Sequence, residues 1–184
     1  MTRIGLIGIG NIGRFYTERL REHDTALTVF DIKPERVEYA VNLGATGARS
    51  ATEVTEQSDI VLLSLPGSHA VEQAMEGGSV TSGESSVQSV LPVLREGQLI
   101  IDTGTSKPET AQRYERLCAD RGAGFIDAPI TWRKDGLTIM VGGTEEWFRA
   151  GEELLTLLSW KLRHVGPIGS GQKLKLLNQM VLAN

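Results

Sequence analysis

The sequence has little of several features that would each point to a particular class of protein. Cys118 is the only cysteine, so the chain can form no internal disulfide and no cysteine-rich metal site. Its longest apolar runs, such as residues 60–63, are far shorter than the ~20 residues of a membrane-spanning helix. Acidic and basic residues are interspersed, with a net charge of −4. This balance argues against a nucleic acid as partner.

Length and composition indicate one folded globular domain. The chain has 184 residues, of which 40% are hydrophobic and 23% charged, as in soluble proteins rather than disordered ones. The N-terminus lacks the long apolar core of a secretory signal peptide, so with a single cysteine we expect a cytoplasmic location. The three histidines are scattered, and we expect no metal site.

Glycine is the residue in clear excess, at 21 of 184 residues, where ~7% is usual. The glycines lie among short apolar runs and helical patterns that alternate along the chain. Strands are predicted over residues 3–8, 26–30, 59–65, 98–102, 124–127, 137–141 and 160–165, and helices follow most of them. This alternation predicts an α/β fold with a doubly wound, mostly parallel sheet.

Local signals mark the ends of several helices. Ser50 and Glu53 have the spacing of a capping box, and residues 106–109 are predicted to cap a later helix. Residues 76–86 are rich in glycine and serine and indicate a surface loop. From residue 171 onward the pattern predicts a final helix with apolar residues on much of its surface.

A glycine-rich loop follows the first predicted strand and precedes a helix, with the pattern Gly8-x-Gly10-x-x-Gly13. The first glycine permits a tight turn, the second lets the backbone approach a pyrophosphate, and the third allows close helix–strand packing. Free N–H groups at the helix start attract phosphate. We therefore predict a Rossmann-like site in which a dinucleotide contacts Gly8, Ile9, Gly10, Asn11, Ile12 and Gly13.

Asp31 ends the second strand, 18 residues after Gly13, where an acid for the adenosine ribose hydroxyls is expected. Its charge would repel a 2′-phosphate, which favours NAD over NADP. Lys33 and Arg36 are near enough in sequence to weaken that preference. The alternative is an ordinary glycine turn without a nucleotide, in which Asp31 caps a helix.

Three further stretches carry a family resemblance: residues 59–66 (DIVLLSLP), 127–131 (DAPIT) and 169–179 (GSGQKLKLLNQ). With them, the chain resembles the β-hydroxyacid dehydrogenase family from residue 3 to its last residue. Members of that family include 3-hydroxyisobutyrate dehydrogenase, tartronate semialdehyde reductase and, more distantly, 6-phosphogluconate dehydrogenase. The combination is specific, although no single stretch is.

The resemblance implies roles for several residues outside the glycine loop. Leu65 and Pro66 would lead into a loop over the nicotinamide side of the cofactor. Thr105 would contact the nicotinamide ribose. Thr131 stands where the family has its hydroxyl for the substrate carboxylate.

Lys175 falls on the family's catalytic lysine, and Asn178 on an asparagine that helps to hold the substrate. Independently of the resemblance, Lys175, Asn178 and Gln179 share one face of a helix. Oxidising an alcohol needs a base for the hydroxyl proton, and a lysine can serve when burial or nearby positive charge lowers its pKa. Without the resemblance, Lys175 would be interpreted as an ordinary solvated lysine.

The chain departs from the family pattern over residues 131–136. The family continues there with two glycines and a stretch rich in glycine and alanine, whereas this chain has TWRKDG and a shorter loop. Arg133 could bind a carboxylate, sulfonate or phosphate through two parallel hydrogen bonds, or it could be a surface residue of a hairpin. Trp132 could line the substrate pocket or pack on the sheet edge.

Length is the second departure. We predict a dinucleotide-binding domain over residues 1–166 and the start of an interdomain helix over residues 167–184. The family's all-helical C-terminal domain, which closes the site and supplies much of the dimer contact, is absent from this chain. The chain is then a fragment of a longer protein or a natural short form, and we expect the full-length protein to be a homo-oligomer.

The predicted function is that of an NAD-dependent oxidoreductase. Hydride would pass between nicotinamide and the hydroxyl carbon of a small β-hydroxy acid such as 3-hydroxyisobutyrate, or the matching semialdehyde, with Lys175 as general acid/base. We expect neither a nucleic acid nor a membrane as partner. Two alternatives remain: an imine or other reductase on the same scaffold, against which Lys175 argues, and a non-catalytic NAD-binding module.

Overall fold

The structure is a computed structural model that describes residues 2–77, 89–133 and 136–182. Within them, one sheet contains the strands β1 Ile4–Ile7, β2 Leu27–Phe30, β3 Thr46–Gly47, β4 Ile60–Leu63, β5 Leu99–Asp102, β6 Gly124–Asp127, β7 Ile130–Arg133, β8 Gly136–Gly142 and β9 Lys161–Gly166. The helices are α1 Asn11–Glu22, α2 Pro34–Asn42, α3 Ala51–Gln57, α4 Ser68–Glu76, α5 Pro108–Ala119, α6 Glu145–Leu158 and α7 Ser170–Leu182, with a 3₁₀ turn at Leu91–Val93.

The sheet is mostly parallel. Its strands follow the order β3-β2-β1-β4-β5-β6, and all of these pairs are parallel. β8 pairs antiparallel with both β6 and β7, and β9 pairs parallel with β8. The strand order reverses between β1 and β4, where open α/β sheets bind ligands outside the carboxyl ends of their strands. The predicted α/β fold class is confirmed.

Each face of the sheet buries its own hydrophobic core. Because successive side chains of a strand point to opposite faces, Leu6 lies in one core and Ile7 in the other. Helices α1 and α6 cover the first core, through residues such as Tyr16 and Leu155. Helices α3, α4 and α5 cover the second, where Tyr114 is fully buried. Burial on both faces explains why β1, β4 and β5 are apolar in sequence, apart from Asp102 at the end of β5.

The two predicted helix caps have different outcomes. Ser50 caps α3 as predicted, since its Oγ accepts the Glu53 N–H at 3.1 Å. The cap predicted from residues 106–109 is wrong, because the Ser106 hydroxyl donates to Asp102 at 2.7 Å instead of bonding to α5. The local pattern predicts that Ser106 caps the helix, but its hydroxyl bonds to the buried carboxylate of Asp102 instead.

Other parts of the chain differ in smaller ways from the sequence prediction. The short strands β3 and β7 are not indicated by the apolar pattern. The final helix begins at Ser170, one residue before the apolar pattern that starts at residue 171. The loop predicted over residues 76–86 lies mostly outside the described residues. Across the part of the chain that the structure describes, no helix is both long and apolar enough to cross a bilayer.

Candidate functional site

The glycine loop joins β1 to α1 at the point where the strand order reverses. Gly8 has a φ of +97°, and a Cβ there would lie 2.4 Å from the carbonyl oxygen of Ser64. A Cβ at Gly13 would lie 2.1 Å from the carbonyl oxygen of Gly8, whereas one at Gly10 would meet no described heavy atom within 4 Å. The fold therefore requires the first and third glycines, while the second leaves open space for a ligand.

Asp31, directly after β2, is buried and accepts three hydrogen bonds. Its Oδ2 accepts the Ile9 N–H at 2.6 Å and pairs with Nη1 of Arg36 at 3.2 Å, and its Oδ1 accepts the Lys33 N–H at 2.9 Å. Asp31 thus braces the glycine loop and the start of α2. The sequence identifies Asp31 but not its bond to Ile9, because no local pattern links two residues 22 positions apart.

A groove of about 790 Å³ runs along the carboxyl ends of β1, β2, β4 and β5, a volume within the ~300–1,000 Å³ usual for ligand sites. The predicted cofactor residues that line it are Gly8, Gly10, Asn11, Ile12, Asp31, Leu65, Pro66 and Thr105. Because β2 and β5 lie on opposite sides of β1 and β4, Asp31 and Thr105 mark its two ends. The side chain of Ile9 lies in the core instead. His69 of α4 lines the groove although sequence reasoning did not assign it a role.

Three polar side chains form a group beside the groove: Thr131, Lys175 and Asn178. Ile130, the residue before Thr131, lines the groove and so places this group next to it. Oγ1 of Thr131 accepts hydrogen bonds from Nζ of Lys175 at 3.4 Å and from Nδ2 of Asn178 at 3.1 Å. Thr131 is buried, and burial lowers the pKa of Lys175. Gln179, on the same helix, is exposed. The structure thus brings a hydroxyl, an amide and an amine together from β7 and α7.

Asp127, the last residue of β6, holds the start of the helix that carries Lys175. Its Oδ1 accepts the Gly169 N–H at 2.6 Å, and its Oδ2 accepts the Gln172 N–H at 2.7 Å. A carboxylate suits this position because the first turn of a helix has unpaired N–H groups and a positive dipole end. These hydrogen bonds favour the ionised form, but burial disfavours it more strongly and raises the pKa of Asp127 to about 6. The placement of α7 therefore depends on the end of β6.

Asp102, the last residue of β5, supports the loop that contains Thr105. Its Oδ1 accepts the Gly104 N–H at 2.9 Å, and its Oδ2 accepts the Ser106 hydroxyl at 2.7 Å. Asp102 is fully buried, and burial raises its pKa to about 6. Among the residues that the structure describes, no three His, Cys, Asp or Glu side chains are grouped as metal ligands.

Trp132 follows Thr131 on β7, so its side chain points to the opposite face of the strand. Its ring packs edge-on against Phe15 of α1, with centroids 5.0 Å apart, and 56% of the residue is exposed. The structure therefore places Trp132 apart from the group around Lys175. The side chain of Arg133, the other residue predicted from this loop, lies outside the described residues.

Comparison with known proteins supplies a family. The family model for the NAD-binding domain of 6-phosphogluconate dehydrogenase matches residues 3–166. The mitochondrial 3-hydroxyisobutyrate dehydrogenase of Mus musculus is 33% identical over 187 residues, which cover 99% of this chain and 53% of the mouse protein. The chain therefore spans about half the length of the curated relatives it matches.

Solved structures share the fold. The 3-hydroxyisobutyrate dehydrogenase of Mycobacterium tuberculosis, solved with L-serine, has a TM-score of 0.86 and 30% identity, over 100% of this chain and 60% of its own. An imine reductase variant of Myxococcus stipitatus, solved with NAD⁺, has a TM-score of 0.84 at 21% identity, over 100% of this chain and 62% of its own, and shows the fold alone. Since the family model spans most of the chain, this chain belongs to the β-hydroxyacid dehydrogenase family and corresponds to the N-terminal NAD-binding domain of that family.

Proposed function

We propose that this chain belongs to an NAD-dependent oxidoreductase that moves hydride between nicotinamide and the hydroxyl carbon of a small β-hydroxy acid. The observation that carries the proposal is the group of Thr131, Lys175 and Asn178 beside the groove. The hydroxyl and the amide can bind a small acid, and an amine of lowered pKa can transfer its hydroxyl proton. The similarity to 3-hydroxyisobutyrate dehydrogenases supports the same substrate class.

The groove has the residues that a dinucleotide needs. The open side of Gly10 leaves room for a pyrophosphate at the start of α1. Asp31 would accept hydrogen bonds from the adenosine ribose at one end, and Thr105 would contact the nicotinamide ribose at the other. When bound there, the nicotinamide supplies hydride chemistry, and Leu65 and Pro66 would cover it.

Thr131 is suited to hold the substrate carboxylate. A hydroxyl oxygen has two lone pairs and one proton. Because Lys175 and Asn178 donate to both lone pairs of Oγ1, the hydroxyl proton of Thr131 is available for a hydrogen bond to a ligand. We expect it to donate to a carboxylate oxygen of the substrate. Binding of L-serine, itself a β-hydroxy acid, to the Mycobacterium tuberculosis relative supports an acid of this size.

Lys175 would carry the proton of the reaction. In oxidation, the neutral amine accepts the proton of the substrate hydroxyl while the carbon loses hydride, and the alcohol becomes an aldehyde. In reduction, the protonated amine returns that proton to the developing alkoxide. Burial favours the neutral form of Lys175 that oxidation requires. Asn178, one turn further along α7, would help to fix the substrate beside it.

We propose NAD as the preferred cofactor. Asp31 places a buried carboxylate at the end of the groove where the adenosine ribose would lie, and a 2′-phosphate there would be repelled. Arg36 pairs with that carboxylate and also lines the groove. Because the ion pair offsets part of the repulsion, we expect NADP to bind as well, but more weakly.

The division of the complete protein is also a proposal. Residues 1–166 would form the dinucleotide-binding domain, and residues 167–184 would begin an interdomain helix that leads to a helical domain. Leu176, Leu177 and Val181 support this, since α7 exposes these apolar side chains. A homo-oligomer and a cytoplasmic location stay predictions.

A turnover assay of the complete protein tests the function. With NAD⁺, we expect oxidation of 3-hydroxyisobutyrate or L-serine, measured as NADH formed. Isobutanol is the matched control substrate, because a methyl group replaces the carboxylate of 3-hydroxyisobutyrate, and it should not be oxidised. Binding of NADH without oxidation of any small hydroxy acid would favour a non-catalytic module. Reduction of cyclic imines without activity on hydroxy acids would favour an imine reductase.

A further inference from the structure

Gln172 is a fully buried glutamine in the first turn of α7, and the proposed chemistry does not use it. Its side-chain amide reaches the loop after β5. Nε2 donates to the carbonyl oxygen of Gly104 at 2.9 Å, and Oε1 accepts the Ser106 N–H at 3.0 Å. One side chain therefore bonds to the main chain on either side of Thr105.

The same loop is held from β5 by Asp102. Asp102 accepts the Gly104 N–H and the Ser106 hydroxyl, so each residue that flanks Thr105 has two bonds to buried side chains. Thr105 itself is exposed and lines the groove. The main chain around Thr105 is thus fixed on both sides, while its side chain faces the space where a ligand would lie.

Gln172 also lies one turn before Lys175, so the two side chains share one side of α7. With a rise of 1.5 Å per residue, their Cα atoms are about 4.5 Å apart along the helix axis. Asp127 fixes this turn from β6 by accepting the Gln172 N–H. The loop of Thr105 and the helix of Lys175 are therefore connected through one buried amide.

We propose that Gln172 is a positioning residue that locks residues 104–106 onto α7, so that Thr105 meets the nicotinamide ribose beside Lys175. This inference rests on the proposed function, in which Thr105 contacts that half of the cofactor. Without the amide, the Gly104 carbonyl and the Ser106 N–H would lose their buried partner, and the loop would lose its single position. The adenosine half binds at the other end of the groove and does not depend on Gln172.

The test compares NADH with ADP, which has the adenosine and pyrophosphate groups but neither the second ribose nor nicotinamide. Binding is measured by calorimetric titration of this chain. The variant Gln172→Met keeps the length of the side chain but lacks its amide. It should weaken NADH binding about tenfold and change ADP binding less than about twofold. Gln57→Met is the matched control, because Gln57 is an exposed glutamine of α3 that does not line the groove, and it should bind both ligands like the wild type.

A Thr105→Ala variant asks whether Gln172 acts through the loop. If it does, the double variant with Gln172→Met and Thr105→Ala binds NADH no more weakly than the single variant of lower affinity. If the two effects are independent, the losses in affinity multiply. Gln172→Glu is the second variant if methionine prevents folding. In its ionised form it still accepts the Ser106 N–H but cannot donate to Gly104, so it should also weaken NADH selectively.

Three results would overturn the role of Gln172. They are equal weakening of NADH and ADP, unchanged NADH binding in a folded variant, and multiplied effects in the double variant. A wild-type chain that binds neither NADH nor ADP gives a different answer, because it contradicts the proposed cofactor site itself.

Discussion

Replacing Asp102 with asparagine should change the way in which stability depends on pH. Asp102 is fully buried beneath the loop of Thr105, and burial raises its pKa from 3.8 to about 6. A carboxyl group whose pKa rises on folding stabilises the fold below the pKa of the unfolded chain. That contribution is lost as the pH rises through the pKa of the folded state. Asparagine resembles the neutral acid in shape and hydrogen bonding but does not titrate.

The size of the effect follows from the shift in pKa. A tenfold change in proton affinity corresponds to about 1.4 kcal/mol. The rise from 3.8 to about 6 therefore predicts that, between about pH 3 and pH 8, the wild type loses roughly 3 kcal/mol of unfolding free energy relative to Asp102→Asn. Burial raises the pKa of Asp127 to about 6 as well, but Asp127 titrates in both proteins and largely cancels.

Urea unfolding at a series of pH values, followed by circular dichroism, measures this difference. The unfolding free energy of Asp102→Asn should approach or exceed that of the wild type above pH 6 and fall behind it in acid. A difference that stays constant with pH, or a wild type that gains on the variant as the pH rises, would refute the reasoning. The first result would mean that folding leaves the pKa of Asp102 unchanged, and the second that the Gly104 N–H and the Ser106 hydroxyl lower it by favouring the ionised form.

Three further substitutions separate binding from folding and NAD binding from NADP binding. A Cβ at Gly10 meets no described heavy atom within 4 Å, whereas one at Gly13 would lie 2.1 Å from a carbonyl oxygen. We therefore expect Gly10→Ala to weaken NADH binding about tenfold with little change in Tm. Gly13→Ala should lower the Tm by roughly 10 °C, and equal melting temperatures in calorimetry would contradict this. Arg36→Gln removes the ion pair of Asp31 and should weaken NADPH about tenfold in fluorescence titrations, with NADH nearly unchanged. Equal losses would contradict the role of the ion pair.

The predictable parts of the fold are those that local chemistry determines. Strands β1, β4 and β5 stand out because both of their faces are buried, which leaves no polar residue to interrupt the run. The glycine loop and Asp31 stand out because the turn itself demands glycine and the acid follows at a fixed distance. Ser50 caps its helix within four residues of sequence.

The parts that could not be predicted depend on contacts between distant segments. The pattern around Ser106 resembles a helix cap, but the buried carboxylate of Asp102 competes for its hydroxyl. The bonds of Gln172 to residues 66 and 68 positions away leave no local signal. The sequence leaves Trp132 between the substrate pocket and the edge of the sheet. The alternation of β7 directs its ring to Phe15, and that alternation is evident only once β7 is known to be a strand.

The most direct test of the account is the turnover of the complete protein after replacement of Lys175 by alanine. Lys173→Ala is the matched control, because Lys173 is exposed on the same helix and its loss removes the same charge. We expect Lys175→Ala to lower kcat about a hundredfold or more while NADH binding stays within about twofold, and Lys173→Ala to leave both unchanged. If Lys175→Ala oxidises the hydroxy acid at the wild-type rate, Lys175 is not the acid/base and the proposed mechanism is wrong.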